Sequence, residues 1–199
     1  MAQGASDAMT TNAPVRPDLH HTHASPESEL QRIKEPATPL AGPYGHPFHP
    51  IAVTIPIGAW AASLLFDLAS LRSDEPRVFA RGSAELLKTG LAGGAVASFL
   101  GFLDYLKIPK NSKAGVTATT HLALNVTTMG LYLLNLTQRE KRLHADASRN
   151  DAVSQNEIGL SLLALTLLGA SGWLGGMLAY HFGVRVADER TQAEGLHRV

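Results

Sequence analysis

Four histidines and one aspartate are the residues of this sequence whose types and positions could do chemistry together. They are His46, His49, Asp104, His121 and His181, and each lies inside or beside a long apolar stretch. Imidazole and carboxylate groups suit zinc, copper or iron, so the five predict a transition-metal site. Haem iron accepts two histidines or a histidine with a methionine, so His49, His121 and His181 alternatively predict a site for haem b.

The prediction that these residues meet depends on the apolar stretches around them. The sequence has four such runs, each close to the roughly 20 residues that cross about 30 Å of hydrocarbon. They predict membrane spans at about 50–71, 81–106, 115–137 and 157–181. When consecutive spans alternate in direction, the starts of the first and third share a membrane face with the ends of the second and fourth. All five residues fall at that face.

The predicted fold is therefore all-α, an integral membrane four-helix up-down bundle over residues 45–186. Residues 1–44 have no apolar periodicity and are rich in small, polar and proline residues, which predicts a disordered polar tail. Residues 187–199 are read as a polar C-terminal tail. His20, His21 and His23 in the first tail could bind a metal loosely, although such tracts are compositional signals only.

Polar side chains line one face of the third predicted span. At about 100° per residue they fall on one stripe, which predicts a seam facing the bundle interior. The members of the stripe are Thr117, His121, Asn125, Thr128, Tyr132 and Asn135.

Near the opposite membrane face, Asp67 and Lys88 lie at similar depth. They are predicted to pair or to share waters, because two unpaired charges there would be costly.

Proline and glycine positions make further predictions about the helices. Pro56 lies inside the first span and predicts a kink, because proline removes a backbone hydrogen bond. Gly90 with Gly94, and Gly172 with Gly176, are GxxxG pairs that predict close helix packing.

Composition excludes several classes of function and leaves others open. Lys plus Arg and Asp plus Glu balance at 17 each, so no net charge favours nucleic acid. The chain has no cysteine, no GxSxG, no phosphate-binding loop and no HExxH. Hydrolytic or nucleotide chemistry has no support, whereas redox activity within a complex stays open. The alternatives are proton or solute permeation along the seams, and a structural or partner-binding membrane subunit without cofactor.

The distribution of positive charge predicts the orientation. The loops between spans one and two and between spans three and four carry slightly more Lys and Arg than the other face. The positive-inside rule therefore predicts both termini outside a bacterial inner membrane. The bilayer is the first expected partner, and assembly with further copies of the chain is an open possibility.

Four motifs, taken in order, resemble one bacterial family. They are GHPFHPIAVTIPIGAW at 45–60, GFLDYL at 101–106, HLALN at 121–125 and SGWLGGMLAYHFGV at 171–184. Together they resemble the domain of unknown function 2231 family over residues 45–186. The resemblance implies four membrane helices and, through relatives associated with Rieske-type iron–sulfur domains, electron transfer with a Rieske-type partner. The resemblance implies another polar or histidine residue near Thr54 and, in some relatives, a histidine in place of Met177, and this chain lacks both.

Overall fold

The structure is a computed structural model that describes residues 25–145 and 151–196. Within these residues every regular element is helical and no strand occurs, so the all-α prediction is confirmed for them. The predicted histidine cluster at residues 20–23 lies outside the described residues. In chain order the helices are α1 (Pro26–Lys34), α2 (Phe48–Ala52), α3 (Thr54–Ser70), α4 (Pro76–Tyr105), α5 (Lys113–Ala145), α6 (Gln155–Gly176) and α7 (Glu189–Glu194).

The first apolar run forms two helices, α2 and α3, instead of one. Pro56 has no N–H, and its ring displaces the carbonyl four residues earlier, which is that of Ala52. α2 ends at Ala52, and Val53 joins it to α3. The break therefore lies at the carbonyl that Pro56 leaves without its helical hydrogen bond, and the kink predicted from Pro56 stays a prediction.

The last long helix has a fixed start and an altered end. At its start, Ser154 Oγ accepts a hydrogen bond from the N–H of Glu157 at 3.3 Å, and the Glu157 carboxylate accepts one from the N–H of Ser154 at 2.9 Å. This reciprocal pair is a capping box. After Gly176 the helix continues as a π-helical turn over Met177–His181, which widens its last turn.

Three helical segments are long and apolar enough to cross a membrane. They are Phe48–Ser70, Pro76–Tyr105 and Gln155–His181. α5 is longer than any of them, at 33 residues, but its threonine, asparagine and histidine residues lower its mean hydropathy. The four predicted spans therefore correspond to three apolar segments and one long helix of more polar composition.

The four long helices meet around Trp60 of α3. Its indole stacks on Tyr132 of α5, with ring centroids 4.3 Å apart, and shares a core with Leu87 of α4 and Ala164 of α6. Gly90 of α4 lies directly under the indole, where a Cβ would overlap the ring. Absence of a side chain there lets α3 and α4 approach closely.

The two glycine pairs behave differently. A Cβ at Gly94 would lie 3.3 Å from the Trp60 ring, so the close packing predicted for Gly90 and Gly94 is confirmed. No described atom lies within 4 Å of a Cβ built at Gly172 or Gly176. The close packing predicted there is wrong within this chain, because that side of α6 faces outward.

Polar side chains lie inside the bundle, and large apolar ones lie on its surface. This distribution is the reverse of that in a water-soluble helical protein and suits contact with lipid. The fully buried polar residues include Ser63, Asp67, Ser83, Thr128, Asn135, Arg139, Ser161 and Ser171, whereas Ile51, Ile55, Leu65, Val96, Phe99, Val126, Leu133 and Leu162 are each more than half exposed.

Residues 25–44 are ordered in the structure, unlike the disordered tail expected from their composition. They contain α1 and a 3₁₀ turn at Pro39–Ala41. Arg185 binds this segment: its N–H donates to the carbonyl of Ile33 at 3.1 Å, and its guanidinium donates to the carbonyls of Ala41 and Gly42 at 3.1 and 2.9 Å. We call this arrangement the Arg185 latch.

The predicted C-terminal tail also contains structure. The N–H of Thr191 donates to the Asp188 carboxylate at 2.8 Å, which caps α7 and lowers the pKa of that carboxyl. The N–H of Asp188 in turn donates to the Tyr44 hydroxyl at 2.8 Å. Both end segments of the described chain are thus bound to each other.

Candidate functional site

Two of the predicted site residues, His49 and His121, come together. Their ring centroids are 6.5 Å apart, and the ring planes are nearly perpendicular at 84°. His49 lies in α2, at the start of the first apolar segment, and His121 lies about two turns into α5. Both side chains are partly buried between helices. We call them the imidazole pair.

His49 is oriented by α4. Its Nδ1 lies 2.9 Å from the carbonyl oxygen of Ala97, so Nδ1 carries the proton and donates. A Cβ at Gly101 would lie 2.8 Å from His49 Cε1. In a helix the carbonyl of Ala97 points toward residue 101, so the missing side chain of Gly101 lets the imidazole reach that carbonyl.

His121 is oriented by α6 in the same way. Its Nδ1 lies 2.8 Å from the carbonyl oxygen of Ser171, and a Cβ at Gly175 would lie 3.2 Å from His121 Cε1. Each imidazole therefore bonds a carbonyl and rests on the glycine four residues later. The sequence prediction missed Gly101 and Gly175, although a small residue followed by glycine four positions later was the available signal.

The second nitrogen differs between the two rings. Asn125 Nδ2 lies 3.0 Å from His121 Nε2. Because an amide nitrogen only donates, Nε2 of His121 accepts, in agreement with a proton on Nδ1. The structure gives no such partner to Nε2 of His49 among the described residues. His121 thus has both nitrogens engaged, and His49 has one.

The other three predicted ligands do not join the imidazole pair. His46 and His181 are exposed, and the His181 ring packs against Phe182 with centroids 4.8 Å apart. Asp104 forms an ion pair with Arg185, whose Nε lies 2.9 Å from Oδ1 without the alignment of a hydrogen bond. Among the described residues, no group of three or more His, Asp or Glu side chains could hold a metal ion.

A second polar cluster lies toward the other end of the bundle. Arg139 Nη1 and Nη2 donate to the two carboxylate oxygens of Asp67 at 2.5 and 2.7 Å, and both side chains are fully buried. The predicted pairing of Asp67 with Lys88 is wrong. Lys88 instead contacts Glu85 and Glu140 at 2.8 and 2.7 Å on the surface.

Hydroxyl and amide groups complete this ionic cluster. Ser83 Oγ donates to Asp67 at 2.6 Å, and Asn135 Oδ1 accepts from Arg139 Nε at 2.8 Å. Asn135 Nδ2 donates to Ser161 Oγ at 2.9 Å, so all four long helices contribute. The sequence prediction stopped the α5 stripe at Asn135, although Arg139 continues it at the next four-residue step.

The comparisons with known proteins identify the family. Residues 45–188 match the family described as predicted membrane protein (DUF2231). The match covers most of the chain, so the chain belongs to this family, and the resemblance seen in the four motifs is confirmed. Comparison with curated proteins found no match, and comparison with solved structures found none.

Proposed function

We propose that this member of the DUF2231 membrane protein family is an electron-transfer subunit that binds haem b between His49 and His121. The observation that carries the proposal is the imidazole pair, whose centroids are 6.5 Å apart with each ring held on a backbone carbonyl. Histidine ligands of metals commonly donate their second N–H to a carbonyl, which fixes the tautomer and frees the other nitrogen for the metal.

The number of available ligands favours haem over a non-haem metal. A structural zinc site needs four ligands and a catalytic one three from the protein, but only two imidazoles meet here and no third His, Asp or Glu joins them among the described residues. Haem brings four nitrogens of its own and takes two histidines from the protein. His181, expected as a third candidate ligand, is exposed and has no part in this proposal.

The spacing of the rings also fits. Metal–imidazole bonds are about 2 Å long and a ring nitrogen lies about 1 Å from its centroid, so opposed imidazoles on one ion have centroids about 6 Å apart. The observed separation is 6.5 Å. His121 can ligate through Nε2 only when the Asn125 amide turns away from it, because that amide donates to the same lone pair. Bound haem would supply one-electron transfer, and the chain would supply the two ligands and a partly buried site.

An absorption spectrum tests the proposal directly. The full chain is expressed with adequate haem and purified in detergent, and oxidised and dithionite-reduced spectra are recorded with haem and metal stoichiometry. We expect a Soret band that shifts on reduction and about one haem per chain. His49→Ala and His121→Ala should each lose the bound haem, since each removes one of the two side chains that would hold it.

Matched control variants distinguish the loss of a haem ligand from misfolding of the protein. His46→Ala and His144→Ala change exposed histidines and should retain the haem. Haem retained by both His49→Ala and His121→Ala would refute the site. A featureless spectrum with stoichiometric metal would favour a non-haem site, and a spectrum with neither would favour a structural or partner-binding subunit. A Rieske-type redox partner can be sought by co-purification, with the His121→Ala variant as reference.

The same proposal includes α5 as a fourth membrane span. Support comes from its side-chain distribution: Val126 and Leu133 are 63 and 54% exposed, whereas Tyr132 and Arg139 are fully buried. A helix that turns apolar residues outward and polar ones inward suits lipid despite a modest mean hydropathy.

The Arg185 latch supports an even number of membrane crossings, because two segments in contact lie on the same side of a membrane. The number of crossings between them is then even, and three spans would be odd.

Single-cysteine labelling tests both the fourth span and the orientation. The chain has no native cysteine, so Lys110→Cys before α5 and Gln155→Cys after it can each be labelled alone. With both termini outside the inner membrane, an impermeant maleimide should label Lys110→Cys in spheroplasts and Gln155→Cys only after permeabilisation. Labelling of both positions from one side would refute the crossing by α5, and the reversed pattern would refute the orientation.

A further inference from the structure

We infer that Asn125 is a two-position switch that regulates metal ligation by His121. In the first position its amide bonds His121, as in the structure. In the second it bonds Thr128 and leaves Nε2 of His121 free. We call these three residues the Asn125 switch. The inference rests on the proposed function, because haem held between His49 and His121 requires the second position.

The first position follows from the proton on the His121 ring. Nδ1 of His121 lies 2.8 Å from the carbonyl oxygen of Ser171 and 2.9 Å from Ser171 Oγ. A carbonyl oxygen only accepts, so Nδ1 carries the proton and Nε2 has a lone pair. Asn125 therefore presents its amide nitrogen to Nε2, at 3.0 Å. In this position the lone pair that a metal would use is already occupied.

Thr128 supplies the reason for a second position. Its side chain is fully buried, and no described residue forms a hydrogen bond with its hydroxyl. The neighbouring Thr119, Thr120 and Thr127 each donate to the carbonyl four residues earlier, at 2.9, 3.0 and 2.9 Å, but Thr128 does not. A buried hydroxyl without a partner is costly, so an amide that turns toward it gains a hydrogen bond there.

Asn125 lies between its two partners on one face of α5. His121 is four residues before it, and Thr128 is three residues after it. Residues at these spacings are neighbours on a helix, with Cβ atoms about 5–6 Å apart. Side chains on an α-helix lean toward its N-terminus, so the Thr128 side chain leans toward Asn125. Rotation about the side-chain bonds of Asn125 can thus move its amide between the partners without movement of the backbone.

The two positions are balanced until His121 ligates a metal. The first leaves the Thr128 hydroxyl without a partner among the described residues, and the second leaves the lone pair of His121 without one. When Nε2 of His121 ligates a metal, its lone pair is used, and the second position then satisfies every member of the switch. Binding shifts an equilibrium by such a difference in affinity. Ligation by His121 and the bond between Asn125 and Thr128 should therefore form together.

The affinity of Thr128 variants for haem tests the inference. The full chain is expressed without added haem and purified in detergent, and its dissociation constant for haem is measured by titration of the Soret band. Thr128→Val removes the hydroxyl with little change of shape. It should raise the dissociation constant about fivefold, the factor that corresponds to one lost hydrogen bond. Thr128→Ser should restore the affinity, and Thr127→Val, which changes an exposed neighbour, is the matched control.

A double-mutant cycle measures the link between Thr128 and Asn125. Asn125→Leu removes the amide that would bond Thr128, so Thr128→Val should have no further effect on the dissociation constant in that background. A fivefold effect of Thr128→Val in both backgrounds would overturn the inference, because Thr128 would then act without Asn125. Equal dissociation constants for the wild type and Thr128→Val would also overturn it.

A measurement without haem distinguishes the switch from the proposed function. Nitrogen-15 NMR of the haem-free protein reports the tautomer of His121 and the hydrogen bond at its Nε2. We expect a proton on Nδ1 and an Nε2 signal that Asn125→Leu shifts and Thr128→Val does not. If the wild type binds no haem, the proposed function fails and the inference falls with it. If the wild type binds haem but Asn125→Leu leaves the Nε2 signal unchanged, the inference alone is overturned.

Discussion

Substitution of Asp67 by asparagine should destabilise the bundle strongly, because it leaves the buried guanidinium of Arg139 without a counter-charge. Asp67 accepts hydrogen bonds from Arg139 Nη1, Arg139 Nη2, Ser83 and Ser161 at 2.5, 2.7, 2.6 and 3.3 Å. An asparagine keeps one acceptor oxygen and turns an NH₂ group toward donors. Removal of one partner of a buried ion pair costs about 3–5 kcal/mol, which sets the expected loss in free energy of unfolding.

The loss can be measured as a shift of the unfolding midpoint in mixed detergent micelles, followed by tryptophan fluorescence. Lys88→Met is the matched control, because Lys88 pairs with Glu85 and Glu140 with its side chain 43% exposed. An exposed pair contributes less than about 1 kcal/mol. The combination of Asp67→Asn with Arg139→Gln should cost less than the sum of the single changes, because no charge is left unpaired. An Asp67→Asn midpoint equal to that of the wild type would refute the reasoning.

Two further predictions concern packing and the ends of the chain. Gly90→Ala should lower the free energy of unfolding by about 1–3 kcal/mol, since its Cβ would overlap the Trp60 indole. Gly176→Ala is the control and should leave stability unchanged or higher, since nothing lies within 4 Å of a Cβ built there. Equal effects of the two substitutions in thermal unfolding would contradict this prediction. Arg185→Met should make residues 25–44 more susceptible to limited proteolysis, because it removes the hydrogen bonds to the carbonyls of Ala41 and Gly42. Arg190→Met changes an exposed residue of α7 and is the control. Identical cleavage of the two variants would contradict the role of the Arg185 latch.

The helices and the imidazole pair could be predicted from local patterns. Apolar runs locate the long helices, and Pro56 locates the break before α3 because its effect on the backbone is local. His49 and His121 meet as expected, since each lies near the same end of its own run. Depth along a helix axis was sufficient for that inference.

Depth alone was not sufficient for the pairing of Asp67. Lys88 lies at a similar depth but points to the surface, whereas Arg139 lies on the inward face of α5 beyond the apolar run. The rotation of each helix about its axis decides the partner, and that rotation depends on packing. His181 likewise lies at the expected end of its helix but is exposed, so depth alone did not place it beside the imidazole pair.

The order of residues 25–44 could not be predicted from composition, because Arg185, which binds them, is more than 140 positions away in the sequence. Their own residues bury little surface. The exceptions are Ile33 and Ala41, at 5 and 1% exposed, and Gly42, which is also buried.

The Arg185 latch has a consequence for the timing of biosynthesis. Residues 25–44 emerge from the ribosome before the four long helices, and Arg185 emerges after them. The segment therefore waits unbound while these helices are made and inserted, and it closes only once Arg185 has been made. Accessibility of this segment to a protease therefore distinguishes chains that stop before Arg185 from chains that contain it.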